Sequence, residues 1–356
     1  MKMDMNLISE SRTLLDALDR LNRLSGTTMT LFVTDADGVV LGSLTDGDIR
    51  RALLRGATLE SSVTVAMQGA FTALAAADSG AEAVEKLRSC RRRGIMLLPR
   101  LDAEGRACEL IDLRRTHTRL PLRAVLMAGG KGERLRPLTL DRPKPLLEID
   151  GKAIIDYNIE ALAACGVTDI TVTTRYLAEQ IEAHFSAPVH GVQVRCVRET
   201  EPLGTIGAVT LCGVPADDGG ITLVMNSDLL TTVSFEEMYL KHVASGADVT
   251  IAVVPYQVSV PFAVLELDGE RVTGIAEKPS YSYYANAGIY IFGNNVLAMI
   301  ETGTRTDAPD LVQRAIAAGA VVTYYVISGT WLDVGSPADF RQAGELMRHH
   351  RNFKSI

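Results

Sequence analysis

The chain has 356 residues, 47% of them hydrophobic and 22% charged, with a net charge of −7 at neutral pH. That length exceeds what one hydrophobic core usually supports, so two globular domains are expected, and the acidic balance argues against nucleic acid as a partner. No apolar run of about 18 residues or longer occurs and Met1 to Ser9 has no signal-peptide core, so neither a membrane span nor a secretory leader is expected.

The first segment, residues 1–119, opens with Leu14, Leu15, Leu18, Leu21 and Leu24 at helical spacing, which predicts one apolar helix face. Thr30 to Thr34 reads as a strand, Asp35-Ala36-Asp37-Gly38 as a turn and Val39 to Leu44 as the return strand. Asp46-Gly47-Asp48 opens a helix that runs through Leu54, with its acids where the helix dipole favours them. The same grammar then returns. Ala81 to Leu87 reads as helix, Ile95 to Pro99 as strand, Asp102 to Gly105 as turn and Cys108 to Leu113 as strand. Two units of about 60 residues in the same order predict an internal duplication. Arg91-Arg92-Arg93 reads as a solvated helix end.

From residue 120 to 356 the texture changes to alternating strands and helices. Arg123 to Ala128 is a buried-strand pattern. Helices are expected over Asp156–Cys165, Ala178–Phe185 and Gly207–Leu211, and strands over Asp169–Thr174, Gln193–Val197 and Ile221–Met225. That alternation predicts an α/β domain with a Rossmann-like, mostly parallel sheet, whose ligands sit beyond the carboxyl ends of the strands. The polar tail carries His349 and His350, which read as solvent-facing. The five cysteines, Cys90, Cys108, Cys165, Cys196 and Cys212, form no C-x-x-C pair. Their odd number points to free thiols in a reducing compartment, the cytoplasm.

After the first strand of this domain comes Gly129-Gly130-Lys131-Gly132-Glu133-Arg134-Leu135-Arg136-Pro137-Leu138-Thr139. Glycines behind a strand let backbone N–H groups approach phosphate oxygens. The loop lacks the G-K-[ST] of a P-loop, and Leu135 stands where a dinucleotide fingerprint needs its third glycine. With Asp141-Arg142-Pro143-Lys144-Pro145-Leu146 it resembles the signature of the sugar nucleotidyltransferase (NDP-sugar pyrophosphorylase) family. The resemblance extends to about Phe340. Glu201-Pro202-Leu203-Gly204-Thr205 is similar to the family's nucleotide-side loop, and Asn226-Ser227-Asp228 to its metal-binding N-G-D. Glu277-Lys278-Pro279 and Asn286-Ala287-Gly288 are similar to its sugar-phosphate segment, and Trp331-Leu332-Asp333-Val334-Gly335 to the segment with its second metal carboxylate. Ser227 replaces the usual Gly, and Ala263 stands where a Gly often lines the sugar.

The resemblance implies that a sugar 1-phosphate attacks the α-phosphorus of an NTP and pyrophosphate leaves. A phosphate monoester is largely dianionic at neutral pH, with a second pKa of about 6, so the nucleophile needs no general base. The chemistry asks for charge neutralisation and in-line alignment. The resemblance gives Arg134 the triphosphate, Lys144 the α-phosphate or incoming phosphate, and Asp228 and Asp333 a shared Mg²⁺. Ala128, Gly129, Gly130, Gly132 and Gly204 would line the nucleotide, while Glu277, Lys278 and Asn286 would bind the sugar 1-phosphate, Lys278 at its phosphate and Glu277 accepting from its hydroxyls. Glu199 or Glu201 would accept from guanine's N1–H and exocyclic amine. Taken singly, Arg134, Lys144 or Lys278 reads as a solvated cation, Asp228 as a cap, and Asp333 or Asn286 as a turn residue. Trp331 reads as packing.

In the first segment, Thr45-Asp46-Gly47-Asp48 resembles the T-x-x-D of CBS domains, in which Thr45 and Asp48 would contact the phosphate and ribose of an adenine nucleotide. The other reading is that they only cap the helix. The second repeat lacks the Thr, so at most one such site is expected per CBS pair. An α/β CBS pair ahead of the transferase is most similar to the glucosamine-1-phosphate guanylyltransferases of legionaminic acid biosynthesis, which implies GTP and glucosamine 1-phosphate as substrates. CBS modules commonly pair, implying a homodimer or higher homo-oligomer. Open alternatives are another hexose-phosphate nucleotidyltransferase, a non-catalytic nucleotide sensor, and transfer to phosphocholine, for which Tyr281, Tyr283 and Tyr284 would form a cation cage.

Overall fold

Reciprocal side-chain caps start the helices of the N-terminal unit, and two aspartates shape its turns. The computed structural model describes residues 3–26, 28–215 and 219–353, and no side chains beyond 348, so His349 and His350 fall outside the described side chains. Met1–Leu120 forms one unit and Pro121–Ile356 a second. The first contains β1 (Leu7–Ser9), α1 (Leu14–Arg23), β2 (Thr30–Thr34), β3 (Val40–Thr45), α2 (Asp46–Leu54), α3 (Gly80–Arg92), β4 (Leu97–Leu101) and β5 (Ala107–Asp112).

The repeated grammar reappears atom by atom. Thr13 and Asp16 form a capping box on α1, and Ser79 and Glu82 form one on α3. In the turn between β2 and β3, Asp35 Oδ1 accepts from Asp37 N at 3.0 Å and Val39 N at 2.8 Å. Between β4 and β5, Asp102 Oδ1 accepts from Glu104 N at 3.1 Å and Arg106 N at 2.8 Å. Both hairpins are antiparallel, and each carries one irregularity near its turn. The repeats differ after the hairpin: α2 follows β3 directly, but among the described residues no α-helix lies between β5 and the next strand, which starts at Arg123. Leu15 is exposed, and Ala17 takes its place beside Leu14, Leu21 and Leu24 on the buried face of α1. The apolar face thus follows the i, i+3, i+7, i+10 row, which Leu15 misses.

Thr45 and Asp48 close a capping box at the start of α2, with Thr45 Oγ1 accepting from Asp48 N at 3.4 Å and Asp48 accepting from Thr45 N at 2.9 Å. Asp48 is buried and also accepts from Arg51 at 2.5 Å and Gln68 at 3.0 Å. Burial pushes its carboxyl up, but the bonds from Thr45, Arg51 and Gln68 outweigh that and hold it below the usual carboxylate range. Thr45→Ala removes the cap, and it is expected to lower unfolding free energy by about 0.5–2 kcal/mol in a denaturant titration.

The second unit runs through β6 (Arg123–Ala128), the two-residue strands β7 (Glu148–Ile149) and β8 (Lys152–Ala153), α4 (Ile154–Ala164), β9 (Ile170–Thr174), α5 (Ala178–His184) and β10 (Arg195–Arg198). It continues with β11 (Ile221–Asn226), β12 (Leu229–Thr231), α6 (Phe235–Ala244), β13 (Val249–Ser259), β14 (Val264–Asp268), β15 (Arg271–Ala276) and β16 (Ser280–Gly293). It ends with α7 (Asn294–Leu297), α8 (Ala308–Ala317), β17 (Val322–Val326), β18 (Trp331–Asp333) and α9 (Pro337–Phe353). The expected α-helix over 207–211 is instead a 3-10 segment, Gly207–Cys212, that ends on Gly213 in the left-handed region. A glycine-led, β-branched stretch has little α-propensity to resist that tightening.

Seven strands form the main sheet in the order β10-β9-β6-β11-β16-β13-β17, and only β16 runs against the other six. From β6 the chain moves outward to β9 and β10, then returns to the other side of β6 as β11. The strand order therefore reverses between β6 and β11, where a crevice opens beyond the carboxyl ends. Val125, Val224, Tyr290 and Phe292 of these strands pack with Leu311 and Ala315 of α8 in the core beneath it. Beyond Val253, β13 pairs only with β16, and the pair projects as a ribbon that carries the β14–β15 hairpin at its end.

Candidate active site

The chain leaves β6 at Ala128 and enters the glycine-rich loop. A Cβ on Gly129 would lie 2.6 Å from Glu199 Oε1, so only glycine lets this carboxylate close on the backbone. Gly132 has φ +62° and caps the 3-10 turn Glu133–Leu135, while its carbonyl accepts from Thr139 Oγ1 at 2.8 Å. That turn presents Arg134, whose guanidinium lies over Gly335, 3.2–3.5 Å from where a Cβ there would sit.

Asp228 follows β11, and Asp333 ends β18. Strands β12 and β18 pair antiparallel with Leu229 opposite Asp333, which brings the two carboxylates to one place. Lys144 reaches between them, in an ion pair with Asp228 and 3.3 Å from Asp333 Oδ1. Lys144 is buried, so its charge is committed to this pair of acids. Burial pushes the Asp228 carboxyl above its usual range, with Lys144 opposing and the nearby Asp333 charge adding to the rise. Asp228 Oδ1 is buried and has no hydrogen-bond partner among the described residues.

That orphaned oxygen tests whether a cation fits. A buried carboxylate oxygen without a donor is costly unless something positive reaches it. Mg²⁺ commonly takes one or two carboxylates and fills its remaining positions with water or substrate oxygens. Asp228 and Asp333 supply that set, so the residues fit the ion.

A cavity of about 610 Å³ opens over these strand ends, within the size range of small-molecule sites. Of the residues singled out in the sequence, Ala128, Gly129, Gly130, Gly132, Arg134, Lys144, Glu199, Gly204 and Asp228 line it. Asp333 is not among the lining residues, but its Oδ1 lies 3.3 Å from Nζ of Lys144, which is. Glu199 is buried, accepts from Leu203 N at 3.3 Å, and is pushed up by burial, against the pull of Arg175. Glu201 is exposed and is not among the lining residues. Glu277, Lys278 and Asn286 are not among them either. Glu277 and Lys278 are exposed where β15 gives way to β16, with Lys278 at φ 44°. Asn286 donates to Tyr290 Oη at 2.6 Å and accepts from Gly288 N at 3.0 Å, and Gly288 lies against Asn226 of the cavity wall. Trp331 donates to Ala287 O at 2.9 Å, which pins β18 to this stretch.

Five cavity residues escaped the site reading of the sequence: Met127, Thr173, Arg175, Ala208 and Arg305. Arg175 directly follows β9, so the strand-end rule that selected the glycine loop also applies to it. Arg305 and Ala208 carry no such signal, whereas Thr205 belongs to the nucleotide-side motif. Thr205 faces the cavity because the loop 203–207 is pinned to 304–308, with Thr205 N donating to Asp307 at 2.8 Å and Ala308 N to Thr205 Oγ1 at 2.8 Å. Tyr281, Tyr283 and Tyr284 do not converge. Tyr281 and Tyr283 share one face of the ribbon, while Tyr284 points to the other and packs on Tyr324 at 5.2 Å.

Residues 123–349 match the family model described as nucleotidyl transferase. Among curated proteins, the chain is 34% identical over 230 residues to the probable mannose-1-phosphate guanylyltransferase 2 of Arabidopsis thaliana, covering 62% of this chain and 63% of that protein. It is 32% identical over 226 residues to the mannose-1-phosphate guanylyltransferase catalytic subunit beta of Dictyostelium discoideum, covering 62% of each. The chain thus spans less than two thirds of the length of these curated relatives. Among solved structures, it resembles a putative glucose-1-phosphate thymidylyltransferase from Bacillus anthracis at a TM-score of 0.51 and 23% identity, covering 64% of this chain and 95% of that one. HddC from Yersinia pseudotuberculosis gives a TM-score of 0.50 at 25% identity, covering 64% and 99%. These two likenesses speak to the α/β fold with its mostly parallel sheet.

Proposed function

The chain belongs to the nucleotidyl transferase family, and from that premise we propose that it transfers a nucleotidyl group from an NTP to a sugar 1-phosphate. The observation that carries this reading is Lys144 held between Asp228 and Asp333 at the mouth of a glycine-lined cavity. A phosphate oxygen of the sugar 1-phosphate forms a bond to the α-phosphorus, the bond from that phosphorus to the bridging oxygen breaks, and pyrophosphate leaves with the electron pair. No proton has to be removed from the nucleophile, so the reaction asks for no His or Ser base.

This chain's residues bind, align and neutralise. The glycine loop offers backbone N–H groups to the triphosphate, and the planar fork of Arg134 clamps it. Lys144 lies near enough to the carboxylates to meet the phosphate that they help to hold. Asp228 and Asp333 would hold Mg²⁺, which when bound offsets the charge on the phosphate oxygens. Arg175 and Arg305 add positive charge to the cavity rim. Glu277, Lys278 and Asn286 take the sugar phosphate in this reading, from the side of the ribbon.

The finer proposal is GTP with glucosamine 1-phosphate. Two curated relatives are named as guanylyltransferases, and Glu199 is a cavity carboxylate able to accept from guanine's N1–H and amine. The names of the same relatives favour mannose 1-phosphate as the competing acceptor. An assay of pyrophosphate release over four NTPs and a panel of sugar 1-phosphates tests both. Release should require both substrates and be fastest with GTP. Preference for dTTP or UTP would reject the base, faster turnover of mannose 1-phosphate would reject the sugar, and no release with any pair would reject the reaction.

For the N-terminal unit we retain the CBS-pair reading, with an adenine nucleotide at Thr45 and Asp48 and pairing of two copies through this unit. Both Asp48 oxygens already accept hydrogen bonds, so a ribose there would have to displace Arg51 or Gln68. The proposed setting is the cytoplasm. No helix among the described residues is long and apolar enough to cross a membrane.

A further inference from the structure

The orphaned oxygen of Asp228 poses a mechanical problem. Its companion oxygen is tied to Lys144, but the oxygen left to meet a cation has no hydrogen bond among the described residues, so the backbone that carries the carboxylate also has to set its pose. That backbone is held at three consecutive carbonyls. Ser227 O lies 3.5 Å from Asn158 Nδ2, Asp228 O accepts from Val334 N at 3.2 Å, and Leu229 O accepts from Asn158 Nδ2 at 2.9 Å. Asn158 is buried on α4, so one amide grips the turn on both sides of Asp228.

Ser227 ties the same turn in a second direction. It is buried, and its Oγ donates to Met127 O at 2.7 Å, while its own N–H donates to that carbonyl at 3.2 Å. The last in-register pair of β6 and β11 is Met127 with Asn226. The hydroxyl therefore adds one bond beyond the end of the ladder, on the strand that feeds Gly129. A glycine at 227 would keep the backbone bond alone.

We propose that Ser227 and Asn158 are positioning residues that hold the Asp228 carboxylate in its cation-binding pose, Ser227 from the β6 side and Asn158 from α4. Both act through Asp228: Ser227 lines the cavity, but its hydroxyl is turned to Met127 O, and Asn158 is buried on α4. The inference rests on the nucleotidyl-transfer reading. A purely structural role for these buried groups would alter stability and leave cation affinity alone.

The test measures Mn²⁺ binding by electron paramagnetic resonance, the Mg²⁺ concentration for half-maximal pyrophosphate release, and thermal unfolding, for wild type, Ser227→Ala and Asn158→Asp. Ser227→Ala deletes one oxygen, and Asn158→Asp keeps the shape while losing the donor. Each variant is expected to weaken Mn²⁺ binding by roughly 10- to 100-fold and to raise the Mg²⁺ requirement in parallel, the usual scale for residues that orient a metal ligand. If Asn158→Asp does not fold, Ser227→Ala decides. Mn²⁺ affinity and Mg²⁺ requirement of Ser227→Ala within twofold of wild type would overturn the proposal, whatever the melting temperature does. A wild type that neither binds Mn²⁺ nor releases pyrophosphate would instead reject the transferase reading, and this inference with it.

Discussion

Asp228→Asn and Asp333→Asn should each reduce turnover by about a thousandfold or more, since losing a cation that neutralises transferring phosphate removes several kcal/mol of transition-state stabilisation. The fold should survive both changes. Asn keeps the size of Asp, and Lys144 retains one carboxylate in either variant, because it contacts both in the native protein. Asp228→Asn also relieves the burial that pushes this carboxyl up, so its stability should fall little. The measurement is steady-state pyrophosphate release at saturating GTP and Mg²⁺, with circular dichroism to confirm the fold. Near-native turnover in both variants would remove the cation from the mechanism and leave Lys144 and Arg134 as the phosphate-neutralising groups.

Arg134→Lys should lower kcat by roughly a hundredfold or more, the scale of one preorganised transition-state contact. The charge is conserved, so any loss reports geometry. Guanidinium presents a rigid planar fork, whereas an ammonium on a flexible stem offers a point charge. Arg134 is placed for such a role by the 3-10 turn behind Gly132, and its guanidinium rests over Gly335, just past Asp333. It therefore bridges the glycine loop and the carboxylate loop before any substrate enters. Steady-state kinetics decide the matter. A fall in kcat with little change in KM assigns the contact to the transition state, and a change confined to KM would reduce Arg134 to ground-state binding.

Much of this protein was legible in short stretches of sequence. The cap weighed at Thr45, the aspartate turns at Asp35 and Asp102, and the glycine loop each depend on residues within a few positions of one another, and such local grammar survives in any tertiary setting. The alternation after residue 120 likewise implied a mostly parallel sheet with its site at the strand ends, and the glycine loop and Asn226-Ser227-Asp228 line the cavity there, whereas Glu277 and Lys278 lie outside its lining.

What the sequence left open were contacts whose partners lie far apart along the chain. Lys144 is 84 residues from Asp228 and 189 from Asp333, and no spacing rule relates them. They meet because β11 lies beside β6 and because β12 pairs with β18. Glu199 and Glu201 were equal candidates by position. Only Glu199 closes on Gly129 inside the cavity, where Leu203 N reaches back to its carboxylate, while Glu201 stays exposed in the loop beyond. Arg305 reaches the cavity only because its loop is pinned to the one at Thr205, and Asn158 grips the Asp228 turn from a helix that carries no motif. Local chemistry sets which residues can act. Sheet order and loop pairing, which close contacts over a hundred or more residues, decide which of them stand together.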